Sequence, residues 1–239
     1  MSTRKDKFSQ KDKEYMSLAL SLARARHGLT GENPSVGCVI IKNDEIISIG
    51  QTGFNGRPHA EYNAIQNSNA NLEDSTMYVT LEPCGHYGKT PPCTKEIIKK
   101  KISKIIYSID DVDKKVKGKS YKFLKSKNIV VKKGLLSRKI INFYKPYFFN
   151  RNKKMPYVTG KIAVSNNNLI YSKGSKRITD IHSDKLTHYL RYKNDSLLIS
   201  YKTLNKDNPK LNCRLEGLNK FSPKRIILDK NLEIDTNSY

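Results

Sequence analysis

Apolar positions fall in short compact runs between lysine- and asparagine-rich stretches, and the period of the pattern changes along the chain. After Ser9 they recur at Tyr15, Met16, Leu18, Ala19, Leu22 and Ala23, the spacing of one helix face. Ser9 and Asp12 stand where a capping box places its reciprocal pair, with Asp in the usual Glu place. The helix is expected to stop at His27-Gly28, where glycine suits the C-terminal cap. Continuous apolar runs predict strands at Val36–Ile41 and Glu45–Ile49, joined by Asn43-Asp44 as a hairpin turn. Pro58 fits the first turn of a helix reaching about Asn67. A strand at Thr76–Thr80, a loop from Cys84 to Pro92, a helix from Cys93 to Lys101 and a strand at Lys104–Ile109 follow. A helix over 118–127, a strand at Ile129–Val131 and a helix over 137–149 complete this half. Strands alternating with helices predict a three-layer α/β domain.

The stretch NRNKKMP at 150–156 is polar, charged and ends in proline, which marks it as the candidate linker between domains at 1–150 and 156–239. Beyond it, strand-like runs at Tyr157–Val164, Ser196–Ser200 and Lys224–Asp229, with a helix near 180–193, read as the opening of a second α/β domain.

Charge changes this picture only a little. The 239 residues carry 45 Lys and Arg against 22 Asp and Glu, a formal charge of +23. Such an excess points to nucleic acid or another polyanion, yet it is spread over both halves: 27 basic against 14 acidic residues up to position 150, and 18 against 8 beyond it. A lysine-rich solvated surface accounts for that spread more simply than a nucleic-acid face, and a phosphorylated small substrate would also suit it. The four cysteines at 38, 84, 93 and 213 form no disulfide framework. The charged N-terminus has no apolar core and no run approaches the ~20 residues needed to span a bilayer. A cytoplasmic protein with reduced thiols, not associated with membrane, is expected.

The chemistry concentrates in His59-Ala60-Glu61, Pro83-Cys84 and Cys93. Zinc prefers tetrahedral nitrogen and sulfur ligands, and a catalytic zinc keeps one position open for water. One imidazole and two thiolates leave that position free, and zinc lowers the pKa of bound water from about 15.7 to ~7. Glu61, two residues from the histidine, is placed to take the proton of that water and return it to the ring nitrogen and leaving amine. Both cysteines are expected near helix N-termini, where partial positive charge favours the thiolate. A structural zinc site would need a fourth protein ligand. His86 is the candidate, but it shares a tight loop with Cys84. Cys38, inside VGCVII, reads as packed core, and Cys213 has no partner nearby in sequence. The H-x-E…P-C pattern marks zinc nucleobase deaminases, in which the cysteines lie two residues apart; here eight residues separate them.

With NPSVGCVI at 33–40, GRPHAE at 56–61 and TLEPCGHYGKTPPC at 80–93, residues 12–150 resemble the deaminase half of the bifunctional riboflavin-biosynthesis deaminase–reductase family. The resemblance implies a cytidine-deaminase-like fold, Zn2+, and hydrolytic deamination of 2,5-diamino-6-(5-phosphoribosylamino)pyrimidin-4-one to the 5-aminouracil analogue. It implies that His59, Cys84 and Cys93 hold the metal, that Glu61 shuttles the proton, and that Asn33, His86 and Lys89 contact substrate, Lys89 through the phosphate. The plainer reading of Lys89 is a solvated lysine. Thr52 departs from the family, which usually has a histidine there.

The second half resembles the same family's NADPH-dependent reductase, with a dihydrofolate-reductase-like fold. The matching residues are Lys161-Ile162-Ala163, His188-Tyr189-Leu190-Arg191, Thr203, Asp207-Asn208-Pro209, Leu211 and Arg214. By resemblance Ala163, Thr203 and Asp207 approach the cofactor, and Ser175, Arg191, Leu211 and Arg214 approach a phosphorylated substrate. Ser165-Asn166-Asn167-Asn168 stands where the family has Ser-Leu-Asp-Gly, and Arg177 stands for a tryptophan. The family domain continues past the position matching Tyr239, so an incomplete reductase without turnover of its own is expected. The resemblance also suggests a homo-oligomer. A nucleobase or tRNA deaminase on the same zinc fold is the second reading, and a chain that only binds zinc or a partner is the third.

Overall fold

Helix α1 (Gln10–Arg26) starts where the sequence places it: Ser9 Oγ accepts the Asp12 amide while the Asp12 carboxylate accepts that of Ser9. Its buried face, Met16, Ala19, Leu20 and Ala23, lies against a sheet. The computed structural model describes residues 7–88, 90–113, 116–170, 178–235 and 237. It divides the chain into two units, residues 1–158 and 159–239.

In the first unit a five-stranded sheet runs in the order β2-β1-β3-β4-β5, from β1 (Gly37–Lys42), β2 (Glu45–Gln51), β3 (Thr76–Leu81), β4 (Lys104–Ile109) and β5 (Val130–Lys133). β1 is antiparallel to both β2 and β3; β3, β4 and β5 are parallel. The β1–β2 turn places Asn43 and Asp44 at φ of 51° and 63°, the paired left-handed positions of a tight hairpin that Asn and Asp tolerate. α1 and α5 (Ser137–Lys153) cover one face, the latter joined to α1 by the His27–Phe143 ring contact. The other face carries α2 (Ala60–Gln66), α3 (Cys93–Lys99) and α4 (Lys119–Lys125).

Two glycines set how closely these layers approach. A Cβ on Gly37 would overlap the Ala19 carbonyl of α1, and one on Gly50 would overlap the Ala60 carbonyl of α2. Between the layers Cys38, Val39, Ile40, Met77, Val79, Ile105, Ile106 and Tyr107 are fully buried, so Cys38 is indeed core.

Two expectations change here. Pro58 precedes the helix instead of opening it, because His59 is the N-cap of α2. The proposed linker is helical at its start: α5 runs on to Lys153, with Arg151 and Lys153 in a last turn that favours cations.

The second unit holds α6 (Ile181–Lys193), capped by Asp180, and α7 (Tyr201–Asp207), capped by Ser200. Strands β6 (Ser196–Ser200) and β7 (Lys224–Leu228) form a parallel pair. Tyr157–Val164 is not a strand: it has no ladder partner among the described residues, and its apolar side chains stay exposed, Val158 at 80% and Ile162 at 71%. The buried apolar residues of this unit are Tyr192, Leu204, Leu211 and Cys213 among the described residues.

Candidate metal centre and active site

The N-terminal ends of α2 and α3 meet beside the end of β3. His59, the N-cap of α2, is extended at φ −69°, ψ 158°, and its ring makes no capping bond, so it is free to turn toward the cysteines. Cys93 is the first residue of α3. Cys84 lies in the loop after β3. Its Sγ accepts the Cys93 amide at 3.3 Å and its carbonyl accepts that of Thr94 at 3.2 Å, which seats the sulfur at the start of α3. His59 Nδ1 is 3.5 Å from Cys84 Sγ and 3.4 Å from Cys93 Sγ, and all three donor atoms lie within 4.8 Å of one another.

Those spacings fit zinc. With Zn–N near 2.0 Å and Zn–S near 2.3 Å, the edges of a tetrahedral site are about 3.6 Å between nitrogen and sulfur. Three protein donors from three separate segments leave one vertex for a small molecule. Among the described residues no other group of three or more His, Cys, Asp or Glu gathers in this way.

Electrostatics within the group follow from burial and shared protons. A hydrogen bond from the Cys93 thiol, followed by that from His59, pulls Cys84 down to about 4, against burial. Cys93, holding the proton that Cys84 gives up and buried as well, is pushed well up. His59 is raised first by its bond to Cys84 and also by the Glu61 charge, against burial and the nearby Arg57. Glu61, the second residue of α2, is 4% exposed. Burial pushes its carboxyl up to about 7, against the pull of His59.

His59, Glu61 and Cys84 open onto a cavity of about 110 Å³ that also has Asn33, Thr52, Arg57, His86, Asp111 and Arg151 in its walls. Asn33 Nδ2 reaches the Gly56 carbonyl at 3.5 Å. His86 Nδ1 is buried without a hydrogen-bond partner. Lys89 and Ser175 lie outside the described residues. Thr52 is a satisfied wall residue, its hydroxyl accepting the Val36 amide at 2.8 Å.

The sequence reading passed over the groups that hold the far wall. Glu82, next to Pro83-Cys84, is buried and accepts the amides of Gly118 at 2.9 Å and of Asp111 and Tyr121 at 3.4 Å, which pins residues 111–121 beside the site. Burial pushes its carboxyl up despite those bonds. Asp111, also raised by burial, accepts the Asp113 amide at 2.9 Å and the Tyr147 hydroxyl at 3.3 Å. Glu82 and Arg57 stand inside the quoted motifs TLEPC and GRPHAE without having been given a role, whereas Asp111, Tyr147 and Arg151 sit in no chemical motif.

In the second unit, Arg191 Nη1 donates to the Asn212 carbonyl at 3.0 Å, the Arg214 amide donates to His188 Nδ1 at 3.2 Å, and Leu211 is buried beside them. These expected substrate residues therefore share one place. Thr203 and Asp207 are exposed on α7, and Ala163 lies in the extended segment before it; no bond joins the three.

A His/Cys/Cys donor set with a buried carboxylate, on a mixed sheet sandwiched between helices, defines the class of zinc-binding deaminases. Residues 9–109 match the family model of the cytidine and deoxycytidylate deaminase zinc-binding region, and residues 156–238 match that of the RibD C-terminal domain. The chain belongs to the riboflavin biosynthesis protein RibD family. It is 40% identical to a diaminohydroxyphosphoribosylamino-pyrimidine deaminase of Buchnera aphidicola, over 61% of this chain and 99% of that one. It is 37% identical to the RibD protein of Aquifex aeolicus, over 93% of this chain and 63% of that protein. The solved deaminase/reductase of Thermotoga maritima superposes with a TM-score of 0.86 at 33% identity, over 92% of this chain and 64% of that one. The chain spans about six-tenths of the length of the RibD relatives it matches. No helix among the described residues is long and apolar enough to cross a membrane.

Proposed function

We propose that this chain hydrolytically deaminates 2,5-diamino-6-(5-phosphoribosylamino)pyrimidin-4-one, releasing ammonia and the 5-aminouracil product. The observation that carries the reading is the spacing of His59, Cys84 and Cys93 beside a buried Glu61 on one cavity. His59, Cys84 and Cys93 would hold Zn2+, which when bound polarises a water molecule for attack on the ring carbon that carries the amine. Glu61 sits where it can receive the proton of that water and pass it to the ring nitrogen and then to the leaving amine. Burial suits it to that work, because a carboxyl near neutrality both takes and gives a proton readily. Asn33 and His86 offer hydrogen-bonding groups to the substrate.

The same reading holds that residues 156–239 correspond to part of an NADPH-dependent reductase, that the protein works in the cytoplasm, and that it assembles with copies of itself; family membership supports each. The test is ammonia release by the zinc-loaded protein from the phosphoribosylated diaminopyrimidinone, with cytidine and tRNA alongside. Release from the first substrate only is expected. Glu61→Gln should lower that rate by about 10²–10⁴-fold while zinc content stays stoichiometric. Turnover that survives the substitution would overturn the mechanism, and release from cytidine or tRNA would overturn the substrate.

A further inference from the structure

The rim of the cavity carries two arginines that the deamination chemistry leaves unused. Arg57 follows Gly56, and its Nη1 donates to Thr90 Oγ1 at 2.6 Å, tying the loop before His59 to the loop between the two cysteines. Arg151 comes from the last turn of α5. Its Nη2 donates to the Glu32 carbonyl at 3.0 Å, its Nε is buried with no hydrogen-bond partner, and its guanidinium lies 5.4 Å from the centre of the Tyr147 ring. Asn33, next to Glu32, reaches the carbonyl of Gly56, next to Arg57. The two arginines are thus anchored at adjoining points of one rim, and both line the cavity that holds His59 and Glu61.

A guanidinium has five N–H donors in a planar fork that matches a phosphate or carboxylate. Arg57 donates one of its five to Thr90, Arg151 donates to the Glu32 carbonyl and also meets the Tyr147 hydroxyl, and neither forms an ion pair with a carboxylate among the described residues. Asp111 and Asp113 share the wall, but Asp111 Oδ1 is taken by the Asp113 amide and the Tyr147 hydroxyl.

We infer that Arg57 and Arg151 form an anion clamp at the mouth of the cavity, which takes the phosphate of a phosphorylated substrate while its ring lies beside Glu61. This rests on the deaminase reading and adds the recognition of the substrate's charged end, carried by one residue of a loop and one of a helix C-terminus. It also gives the rim a selective role. The unphosphorylated riboside fills the same ring site and leaves both forks unpaired.

The experiment compares zinc-loaded wild type, Arg57→Gln and Arg151→Gln on the phosphorylated diaminopyrimidinone riboside and on its dephosphorylated form. Each variant should raise KM for the phosphorylated substrate about tenfold or more, the loss expected for a charge-assisted bond. Turnover at saturation should fall by less than KM rises, and the loss in kcat/KM should be about tenfold larger on the phosphorylated substrate than on the dephosphorylated form. Arg57→Lys and Arg151→Lys should restore part of the loss, keeping the charge without the fork. Equal losses on both substrates would show that the arginines only hold the loops, and no loss on either would remove the clamp; both results overturn the inference. Ribose 5-phosphate binding, measured by calorimetry on the same proteins, separates the clamp from the reaction. If wild type deaminates neither substrate, the functional reading fails, while ribose 5-phosphate binding weakened by both substitutions still supports the clamp. No binding to wild type would overturn it.

Discussion

β3 and β4 are buried at every position but the first, whereas β6 and β7 keep no position fully buried. Yet TMYVTL and KIIYSI do not differ in kind from SLLIS and KRIIL: all four are apolar runs in parallel pairing. The difference lies in what covers them. Parallel strands need helices on both faces, and β3 and β4 have them, with two helices on one side and three on the other. In the second unit Leu198 stays 59% exposed, Leu228 65% and Ile226 48%. An apolar run therefore announces a strand and leaves its burial to the layers around it, and the chemically complete site stands on the covered sheet.

The harshest way to probe this contrast is Gly37→Ala. The added carbon would strike the Ala19 carbonyl, a backbone atom that cannot move aside. A loss of about 3 kcal/mol or more, or failure to fold, is expected in urea unfolding. A neutral result would mean that α1 can stand further off the sheet. Ile106→Ala, at a fully buried position, should cost about 2–5 kcal/mol. Leu198→Ala on the open pair should cost less than about 1 kcal/mol, because little area leaves water there on folding. Equal costs would break the comparison.

Zinc removal sharpens it further. A metal that binds only the folded first unit adds about 2.7 kcal/mol at a hundred times its dissociation constant. A chelator should therefore lower hydrogen-exchange protection in β1, β3 and β4 and leave α6 and β6 as they were. A uniform loss would mean that the two units unfold together.

The smallest effect concerns pH. Burial raises the Glu82 carboxyl, so the folded chain binds that proton more tightly than the unfolded chain, whose Glu titrates near ~4.3. The resulting stability is complete below that value and fades as pH rises through the raised folded pKa. Wild type should lose stability across this window faster than Glu82→Gln, as read by urea midpoints. Parallel profiles would show that its three amide bonds fully offset the burial.

Much of the first unit was legible because its signals are local. The capping box at Ser9 and Asp12, the Asn43-Asp44 turn and the His59/Glu61/Cys84/Cys93 pattern each depend on neighbours a few residues apart. Pro58 was misplaced because the proline rule concerns first turns in general, and here the metal-facing histidine takes the cap. The 150–156 stretch looked like a linker because it is polar, but polarity equally describes an exposed last helical turn. Tyr157–Val164 has the composition of a strand and lacks a ladder partner, which no local pattern reveals. The far wall was hidden for the same reason: Asp111, Tyr147 and Arg151 come to the cavity of His59 only after the sheet brings distant segments together.

The metal donors lie on either side of β3, with His59 before it and both cysteines after it. Their meeting requires β3 to pair with β1, its antiparallel partner, and α3 to dock behind. In the unfolded chain only the two cysteines are close in sequence, and such a pair holds a metal loosely and without selectivity. The high-affinity site is thus a late product of assembly. Zinc should enter a chain whose sheet is already built, as a lock set after the frame, and should not act as the seed around which the frame forms.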